Sequence, residues 1–119
     1  MDARFPPARR LRQRAAFDRV FRRSVRSADD LFTVLARPAD GDTARLGLAI
    51  SVRAAGGAVA RNRVKRLVRE SFRAARERLP AVDIVVMARP GIGAQDNARV
   101  RASLSRHWER IAHRCKRSS

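Results

Sequence analysis

The sequence predicts an α/β (α+β) sandwich, in which helices cover one mixed β-sheet. Three segments indicate this fold: an alternating strand pattern from Arg45 to Arg53, an apolar strand from Val82 to Ala88, and a long amphipathic helix between them. The 119 residues are enough for one domain with a hydrophobic core. No internal repeat or long linker divides the chain, so we expect a single domain over residues 1–119.

The chain begins with a basic segment that contains two prolines, and residues 1–10 are expected to be flexible. Arg14 to Arg23 then predicts a helix, because Phe17, Val20 and Phe21 recur at helical spacing and form one apolar stripe. Two interpretations of the phenylalanines stay open. They pack in the core, or they offer a partly exposed surface on which unpaired bases stack.

Strands should follow this helix. Ser24 to Asp30 breaks the helical pattern, and Leu31 to Arg37 is rich in strand-forming residues. Pro38 and the run Asp40-Gly41-Asp42 predict a hairpin turn into the next strand, which extends from Arg45 to Arg53. The large apolar side chains of that strand share one side: Leu46, Leu48, Ile50 and Val52.

A basic helix is predicted from about Ala58 to Leu79. The pair Gly56-Gly57 precedes it, with Gly57 as a tolerable cap, and Pro80 ends it. The strand that follows, Val82 to Ala88, is the short apolar run typical of a buried strand.

The last helix should begin at Asp96 or Asn97, because either side chain can cap it. Its apolar residues recur at helical spacing: Val100, Leu104, Trp108, Ile111 and Cys115. Residues 115–119, at the end of the chain, are expected to be flexible.

The chain is strongly basic, with a formal charge of +17 from 28 Lys and Arg against 11 Asp and Glu. Such a charge predicts binding to a polyanion. Only Lys65 and Lys116 are lysines. Arginine suits bidentate contacts with phosphate, although codon bias in a GC-rich genome explains the Arg/Lys ratio equally well.

The basic helix concentrates this charge on one face. At about 100° per residue, one arc of about 140° contains no acid, and seven polar or cationic residues occupy it: Arg61, Asn62, Lys65, Arg66, Arg69, Arg73 and Arg76. Five apolar residues form the opposite stripe: Val64, Leu67, Val68, Phe72 and Ala75. Like charges at this spacing repel one another unless an anion covers them, so the arc predicts a surface for phosphates.

Asn62 is the unusual member of this arc. Its amide can accept as well as donate a hydrogen bond, so it could hold a metal-bound water or a ribose hydroxyl. A hydrogen bond between the amide and its own backbone explains the residue equally well.

Few residues could form a catalytic or metal site within the protein. His107 and His113 fall on different faces of the last helix, and both are expected at the surface. A turn explains Asp40-Gly41-Asp42 better than a metal site does, and Cys115 is interpreted as a helix-end residue without chemistry. We therefore expect no catalytic residue and no metal ligand set in this chain.

The sequence predicts a cytoplasmic location. It has no signal peptide and no apolar stretch of membrane-spanning length, and a single cysteine fits a reducing compartment. No membrane partner is expected, because the apolar face of the basic helix is better used against a sheet than against lipid.

Four motifs carry a resemblance to a known family. The most specific are Gly47-Leu48-Ala49-Ile50-Ser51-Val52 and, after a glycine-containing link, Ala58 to Glu70 with its Arg61-Asn62-Arg63 core. Phe17-Asp18-Arg19-Val20-Phe21 and Asp83 to Gly91 add to them, so the likeness covers roughly residues 11 to 114. Together they resemble the protein subunit of bacterial ribonuclease P.

The resemblance implies a holoenzyme whose catalyst is an RNA, with Mg²⁺ bound mainly by that RNA and no protein partner required. It also implies a left-handed crossover between the central strands, as in folds similar to domain 2 of ribosomal protein S5. The precursor tRNA leader would lie in a cleft bordered by Phe17 and Phe21. The residues expected to bind the catalytic RNA are Arg53, Arg61, Asn62, Arg63, Lys65, Arg66, Arg69 and Arg73.

Two departures from the family weaken the leader-cleft assignment. Arg53-Ala54 stands where the family usually has two lysines, and Leu35 stands near a position that is often aromatic. The leader would then be held more by charge than by stacking. A ribosomal RNA-binding protein is the alternative function, since small basic α/β domains are common there.

Overall fold

In a computed structural model, which describes residues 24–39 and 41–118, one four-stranded mixed sheet packs against helices. The strands are β1 (Val25–Ala28), β2 (Phe32–Pro38), β3 (Arg45–Ala49) and β4 (Val82–Ala88). The helices are α1 (Val52–Ala55), α2 (Ala58–Ala75) and α3 (Asn97–Ser118), with 3₁₀ turns at Arg76–Arg78 and Ile92–Ala94. The predicted α+β architecture is confirmed, while the predicted helix from Arg14 to Arg23 lies outside the described residues.

The segment Ser24 to Asp30 contains the strand β1 and is not only a break, so the sequence prediction missed this strand. This strand pairs antiparallel with β2, and Val25 lies opposite Ala36. β1 has only four residues, and the buried one at its centre is Ser27. A polar residue at an inward position hides the alternation by which strands are recognised.

The predicted hairpin between the second and third strands is wrong. The strand order is β1-β2-β4-β3, so β4 lies between β2 and β3, antiparallel to the first and parallel to the second. The physical reason is the apolar character of β4, whose first five residues are all buried. A strand that is buried on both faces belongs in the centre of a sheet, with a neighbour on each side.

The third strand is shorter than predicted. β3 ends at Ala49, and Val52 and Arg53 belong to the short helix α1. Ser51 causes this change, because its Oγ accepts a hydrogen bond of 2.9 Å from the backbone N–H of Ala54 and so caps the helix. Val52 is consequently 49% exposed and does not continue the buried side of the strand.

Helix α2 connects the parallel strands β3 and β4 and packs on the sheet. All five apolar residues predicted for its inner stripe are buried: Val64, Leu67, Val68, Phe72 and Ala75. The α-helix ends at Ala75 and continues as a 3₁₀ turn, so the predicted end at Leu79 is wrong by four residues. The handedness of this crossover stays a prediction from the resemblance.

Helix α3 confirms the predicted apolar stripe, because Val100, Leu104, Trp108, Ile111 and Cys115 are all buried. Of the two predicted caps, Asp96 caps the helix. Its Oδ1 accepts a hydrogen bond of 2.8 Å from the backbone N–H of Arg99.

The two faces of the sheet differ. One face packs against α2 and α3 and carries the core residues Phe32, Val34 and Ala36 of β2. Alternate residues of the same strand, such as Thr33 and Arg37, are partly exposed on the other face, which we call the open face. No helix between residues 41 and 118 is long and apolar enough to cross a membrane.

Candidate nucleic-acid interface

The structure brings the eight predicted RNA-binding residues together on α1 and α2. Four of them are exposed: Arg53, Asn62, Arg66 and Arg73. The other four are partly buried: Arg61, Arg63, Lys65 and Arg69. The apolar side of α2 packs on the sheet, so the cationic side has to face outward. The two helices therefore form a continuous basic surface, which we call the α2 surface.

Arg61 links this surface to the sheet. Its Nε donates a hydrogen bond of 2.6 Å to the backbone carbonyl of Ile50, directly after β3. This contact fixes the first turn of α2 relative to the strand that precedes it. Arg61 is thus partly a positioning residue, which sequence spacing does not show.

Arg63 turns away from the other cations. Its Nη1 donates to Oδ1 of Asn97 at 2.6 Å, and its Nη2 donates to the backbone carbonyls of Gly93 and Gln95 at 2.9 and 3.2 Å. These three acceptors lie at the start of α3 and in the turn before it. Arg63 therefore clamps α2 to the turn that leads into α3.

The same turn packs closely on α1. The backbone N–H of Gly91 donates to the carbonyl of Ala54 at 3.2 Å. A Cβ atom at Gly93 would lie 1.8 Å from the carbonyl oxygen of Ala55, so only glycine fits there without a shift of the backbone. These contacts join α1, the first turns of α2 and the start of α3 into one rigid corner.

The N-terminus of α2 adds to the positive potential of this corner. Its cap residue, Gly57, provides no side-chain hydrogen bond, and no acid occurs in the first turn. The first backbone N–H groups of α2 therefore have no side-chain cap, and the positive end of the helix dipole lies at this corner uncompensated by an acid of the first turn. Asn62, one turn further on, is exposed and has no side-chain partner among the described residues.

The open face of the sheet, which α2 and α3 do not cover, is the candidate surface for the leader cleft that the resemblance implies. Phe17 and Phe21, which were predicted to border it, lie outside the described residues. Three partly or fully exposed side chains cross the face in register, namely Thr33, Met87 and Ala49.

Charged residues occupy the next polar row of that face. Asp83 lies between Arg37 on β2 and Arg45 on β3 in the strand register. Arg45 forms a bidentate ion pair with Asp83, with two N–O distances of 2.8 Å. Leu35, at the position that is often aromatic in the family, is buried on this face.

Sequence reasoning missed a buried polar cluster between β1 and α3. His107 is fully buried, so its predicted surface position is wrong, whereas the exposed position of His113 is confirmed. Nδ1 of His107 lies 2.7 Å from Oγ of Ser27, and Nε2 lies 3.2 Å from Oδ2 of Asp29 without good hydrogen-bond geometry. The spacing of His107 from Leu104 and Ile111 could have revealed it, because that spacing places it on the apolar stripe.

Asp29 organises the turn next to this histidine. Its Oδ1 accepts from the backbone N–H groups of Leu31 and Phe32, both at 2.9 Å, and its Oδ2 accepts from Oγ of Ser103 at 2.5 Å. Burial alone would raise the pKa of Asp29, but these hydrogen bonds and His107 outweigh it and hold that pKa well below its usual range.

Burial lowers the pKa of His107, while the carboxylate of Asp29 opposes that shift only in part. The nearby Arg110 and Arg106 lower this pKa further. The ring is therefore neutral at pH 7 and enclosed in the core, where no substrate can contact it. We assign it a structural role.

The described residues contain no group of three or more His, Cys, Asp or Glu side chains that could hold a metal ion. Asp42 is exposed, and Asp40, its partner in the predicted turn, lies outside the described residues. Cys115 is buried on the inner face of α3, and burial raises the pKa of its thiol.

Comparison with known proteins identifies the family. A family model described as Ribonuclease P matches residues 5–112. The chain is 50% identical over 115 residues to the ribonuclease P protein component of Thioalkalivibrio sulfidiphilus, covering 97% of this chain and 96% of that protein. It is 44% identical over 115 residues to that of Methylococcus capsulatus, covering 97% and 90% of the two chains.

Solved structures agree with these sequences. The RNase P protein of Staphylococcus aureus has a TM-score of 0.79 at 31% identity, with 87% of this chain and 94% of that chain covered. The RNase P protein of Thermotoga maritima has a TM-score of 0.75 at 36% identity, with 86% and 96% covered. The chain therefore belongs to the family of ribonuclease P protein components.

Proposed function

We propose that this chain binds the catalytic RNA of ribonuclease P through the α2 surface and the 5′ leader of precursor tRNA on the open face of its sheet. By holding both RNAs it assists the endonucleolytic removal of the leader, which produces the mature 5′ end of the tRNA. The reaction takes place in the cytoplasm, and no other protein is required.

The observation that carries this proposal is the one-sided charge of α2. Its inner residues are buried in the core, while its exposed residues include Arg66 and Arg73, which Arg53 on α1 joins. Phosphates that contact such a row release condensed counterions, so binding is strong and salt-sensitive. A rigid row of cations on a helix suits a folded RNA with closely spaced phosphates.

The chemistry of cleavage is assigned to the RNA and to Mg²⁺ held by its phosphates. Mg²⁺ keeps several waters and prefers oxygen ligands, of which an RNA supplies many. The described residues of this chain form no ligand set of their own. Asn62 is exposed at the start of the α2 surface, where its amide oxygen could accept a hydrogen bond from a metal-bound water.

Binding of the leader on the open face is supported by the shape and charge of that face. Its exposed row of Thr33, Met87 and Ala49 is shallow enough for an extended strand of nucleotides. Arg37 near the end of β2 and Arg45 at the start of β3 lie on one side of that row, and Arg89, directly after β4, lies on the other. This arrangement favours contacts with phosphates and riboses over deep pockets for individual bases.

Reconstitution tests the proposal. Cleavage of a precursor tRNA by the catalytic RNA should be measured at low Mg²⁺ concentration with and without this chain, and with the chain alone. We expect faster cleavage and tighter binding of precursor than of mature tRNA with the chain present, and no cleavage by the chain alone. Equal cleavage with and without the chain would contradict the proposal.

A variant of the α2 surface tests the docking contact. Replacing Arg66, Arg69 and Arg73 together by Gln should weaken binding to the catalytic RNA. It should also reduce the slope of log K against log salt by about 2–3, because each lost phosphate contact contributes about 0.7–0.9. An unchanged slope would exclude these residues from the RNA contact.

A further inference from the structure

A second row of arginines lies along the outer edge of β1, which pairs with no strand other than β2 among the described residues. It consists of Arg26 on the strand and of Arg106, Arg110 and Arg114 on α3, and all four side chains are exposed. We call it the β1 edge row. It was not among the RNA-binding residues expected from the sequence.

The arginines of α3 contact the strand one after another. Nη2 of Arg106 lies 3.8 Å from Oδ2 of Asp29. Nη1 of Arg110 donates to Oγ of Ser27 at 3.2 Å and approaches the carbonyl of Ala28 at 3.5 Å, and Arg114 donates to the carbonyl of Arg26.

The spacings of helix and strand match at this edge. Four residues of a helix rise by about 6 Å, and two residues of an antiparallel strand extend by about 6.8 Å. Arg110 and Arg114 therefore reach the carbonyls of Ala28 and Arg26, which an edge strand would otherwise leave open. The contacts hold the guanidinium groups in fixed positions.

These contacts leave the edge positively charged. The Ser27 hydroxyl and the Ala28 carbonyl are neutral acceptors, so they do not cancel the charge of Arg110. Asp29 and Asp30 are the acids of the β1–β2 turn, and Asp29 is engaged by the backbone N–H groups and by Ser103. The four arginines thus outnumber the acids, and the edge is a rigid row of cations.

The row lies at the opposite edge of the sheet from the α2 surface. β1 and β3 are the outer strands, α3 packs on β1 and β2, and α2 connects β3 to β4. With neighbouring strands about 4.8 Å apart, about 14 Å of the open face separates the two outer strands. An RNA bound at the α2 surface does not have to reach the β1 edge, but a strand that crosses the open face does.

We infer that the β1 edge row binds backbone phosphates of the 5′ leader, namely those of the nucleotides furthest from the cleavage site. This inference rests on the proposed function. If α2 docks on the catalytic RNA, the cleavage site lies on that side of the protein. The leader then crosses the open face and leaves it over β1, where the arginines meet its phosphates without regard to base sequence.

A series of precursor tRNAs with increasing leader length tests this inference in the reconstituted holoenzyme. The variant replaces Arg106, Arg110 and Arg114 by Gln, whose amide N–H can still donate to the strand while the charge is lost. A second variant, Arg26→Gln, removes a charge without touching the contacts of α3 with β1. The matched control is Arg101→Gln, which removes an exposed charge of α3 that faces Leu67 and Glu70 of α2.

With the unchanged chain, affinity should rise as the leader becomes long enough to reach β1. In the triple variant this increase should fall by about tenfold, and the salt slope for long leaders should decrease by about 2, since each single-strand phosphate contributes about 0.7. Arg26→Gln should lose part of the same increase. Short-leader precursors, and the Arg101→Gln control, should bind as before.

Two results would overturn the inference. One is an affinity of the triple variant that rises with leader length as it does for the unchanged chain, which would mean that the row only covers the edge of the strand. If the triple variant does not fold, an unchanged length dependence in Arg26→Gln has the same meaning. Failure of the proposed function looks different, because the unchanged holoenzyme would then bind even short-leader precursors no better than mature tRNA.

Discussion

Two arginines of α2 look alike in the sequence, but their replacement should affect different properties. One substitution should lower the stability of the fold, and the other should weaken RNA binding. Arg63 donates hydrogen bonds to Asn97 and to the turn before α3, whereas Arg66 is exposed and has no partner among the described residues. We therefore compare Arg63→Ala with Arg66→Ala. The first substitution removes a clamp, and the second removes only a surface charge.

The structure sets the size of the difference. Hydrogen bonds to a charged group contribute about 1.5–3 kcal/mol each, but the three acceptors of Arg63 are partly exposed and water can replace the donor. We expect Arg63→Ala to lower the free energy of unfolding by about 2–3 kcal/mol, a large share of a typical 5–15 kcal/mol. Arg66→Ala should change it by no more than about 0.5 kcal/mol, because alanine suits an exposed helix position.

Urea denaturation and RNA binding separate the two effects. Arg63→Ala should shift the denaturation midpoint with little change in the m-value, and its salt slope for RNA binding should stay near that of the unchanged chain. Arg66→Ala should keep the midpoint and reduce the salt slope by about 0.7–0.9. Equal midpoints for the two variants would refute the clamp, and an unchanged slope in Arg66→Ala would remove it from the RNA contact.

Two further predictions concern the core. Burial lowers the pKa of His107, so below about pH 6.5 the unfolded chain takes up a proton that the folded chain does not. The free energy of unfolding should therefore decrease below about pH 6.5. Urea denaturation at several pH values should show this decrease for the unchanged chain and not for His107→Gln. Gly93→Ala should lower the free energy of unfolding by about 2 kcal/mol or more, because its Cβ would lie 1.8 Å from the carbonyl oxygen of Ala55. Gly41→Ala, where no atom lies near the added Cβ, should change it by no more than about 0.5 kcal/mol. Equal effects of the two alanines would contradict the packing argument.

The parts of the fold that the sequence predicted well are those with strong periodicity. β4 was predicted with its observed bounds, and the buried stripes of α2 and α3 were predicted residue by residue. In these elements burial alone selects the residue type. A regular pattern of apolar side chains then contains enough information to identify the element and its inner face.

The features that were missed depend on partners far away in the chain. The hydroxyl of Ser27, a buried strand residue, has its hydrogen-bond partner in Nδ1 of His107, 80 positions later and 2.7 Å away. The order of the strands depends on which pairs bury more surface, and no local turn signal reports that. Ser51 ended β3 through a single side-chain hydrogen bond, although the apolar alternation continued to Val52.

The candidate site was predicted by residue type but not by orientation. Seven of the eight residues lie on α2 as expected, whereas Arg53 was expected at the end of a strand and lies on α1. A helical wheel cannot tell a side chain that faces solvent from one that reaches a neighbouring turn. Arg63 shows the difference, because its acceptors at Gly93 and Gln95 belong to a segment 30 residues or more away. Only the packed structure separates the cations that contact the protein from those that face a partner.

Arg61 and Arg63 contact the protein and thereby orient the arginines of α2 that face outward. Arg61 ties the first turn of α2 to Ile50 at the end of β3, and Arg63 ties the next residues to the turn before α3. A helix that begins at a glycine without a side-chain cap would otherwise fray at this end. Because both contacts fix the rotation of α2 about its axis, Arg66 and Arg73 keep one orientation. Cations that are already in place lose less conformational entropy when they meet phosphates, so these two contacts within the protein should strengthen RNA binding by Arg66 and Arg73.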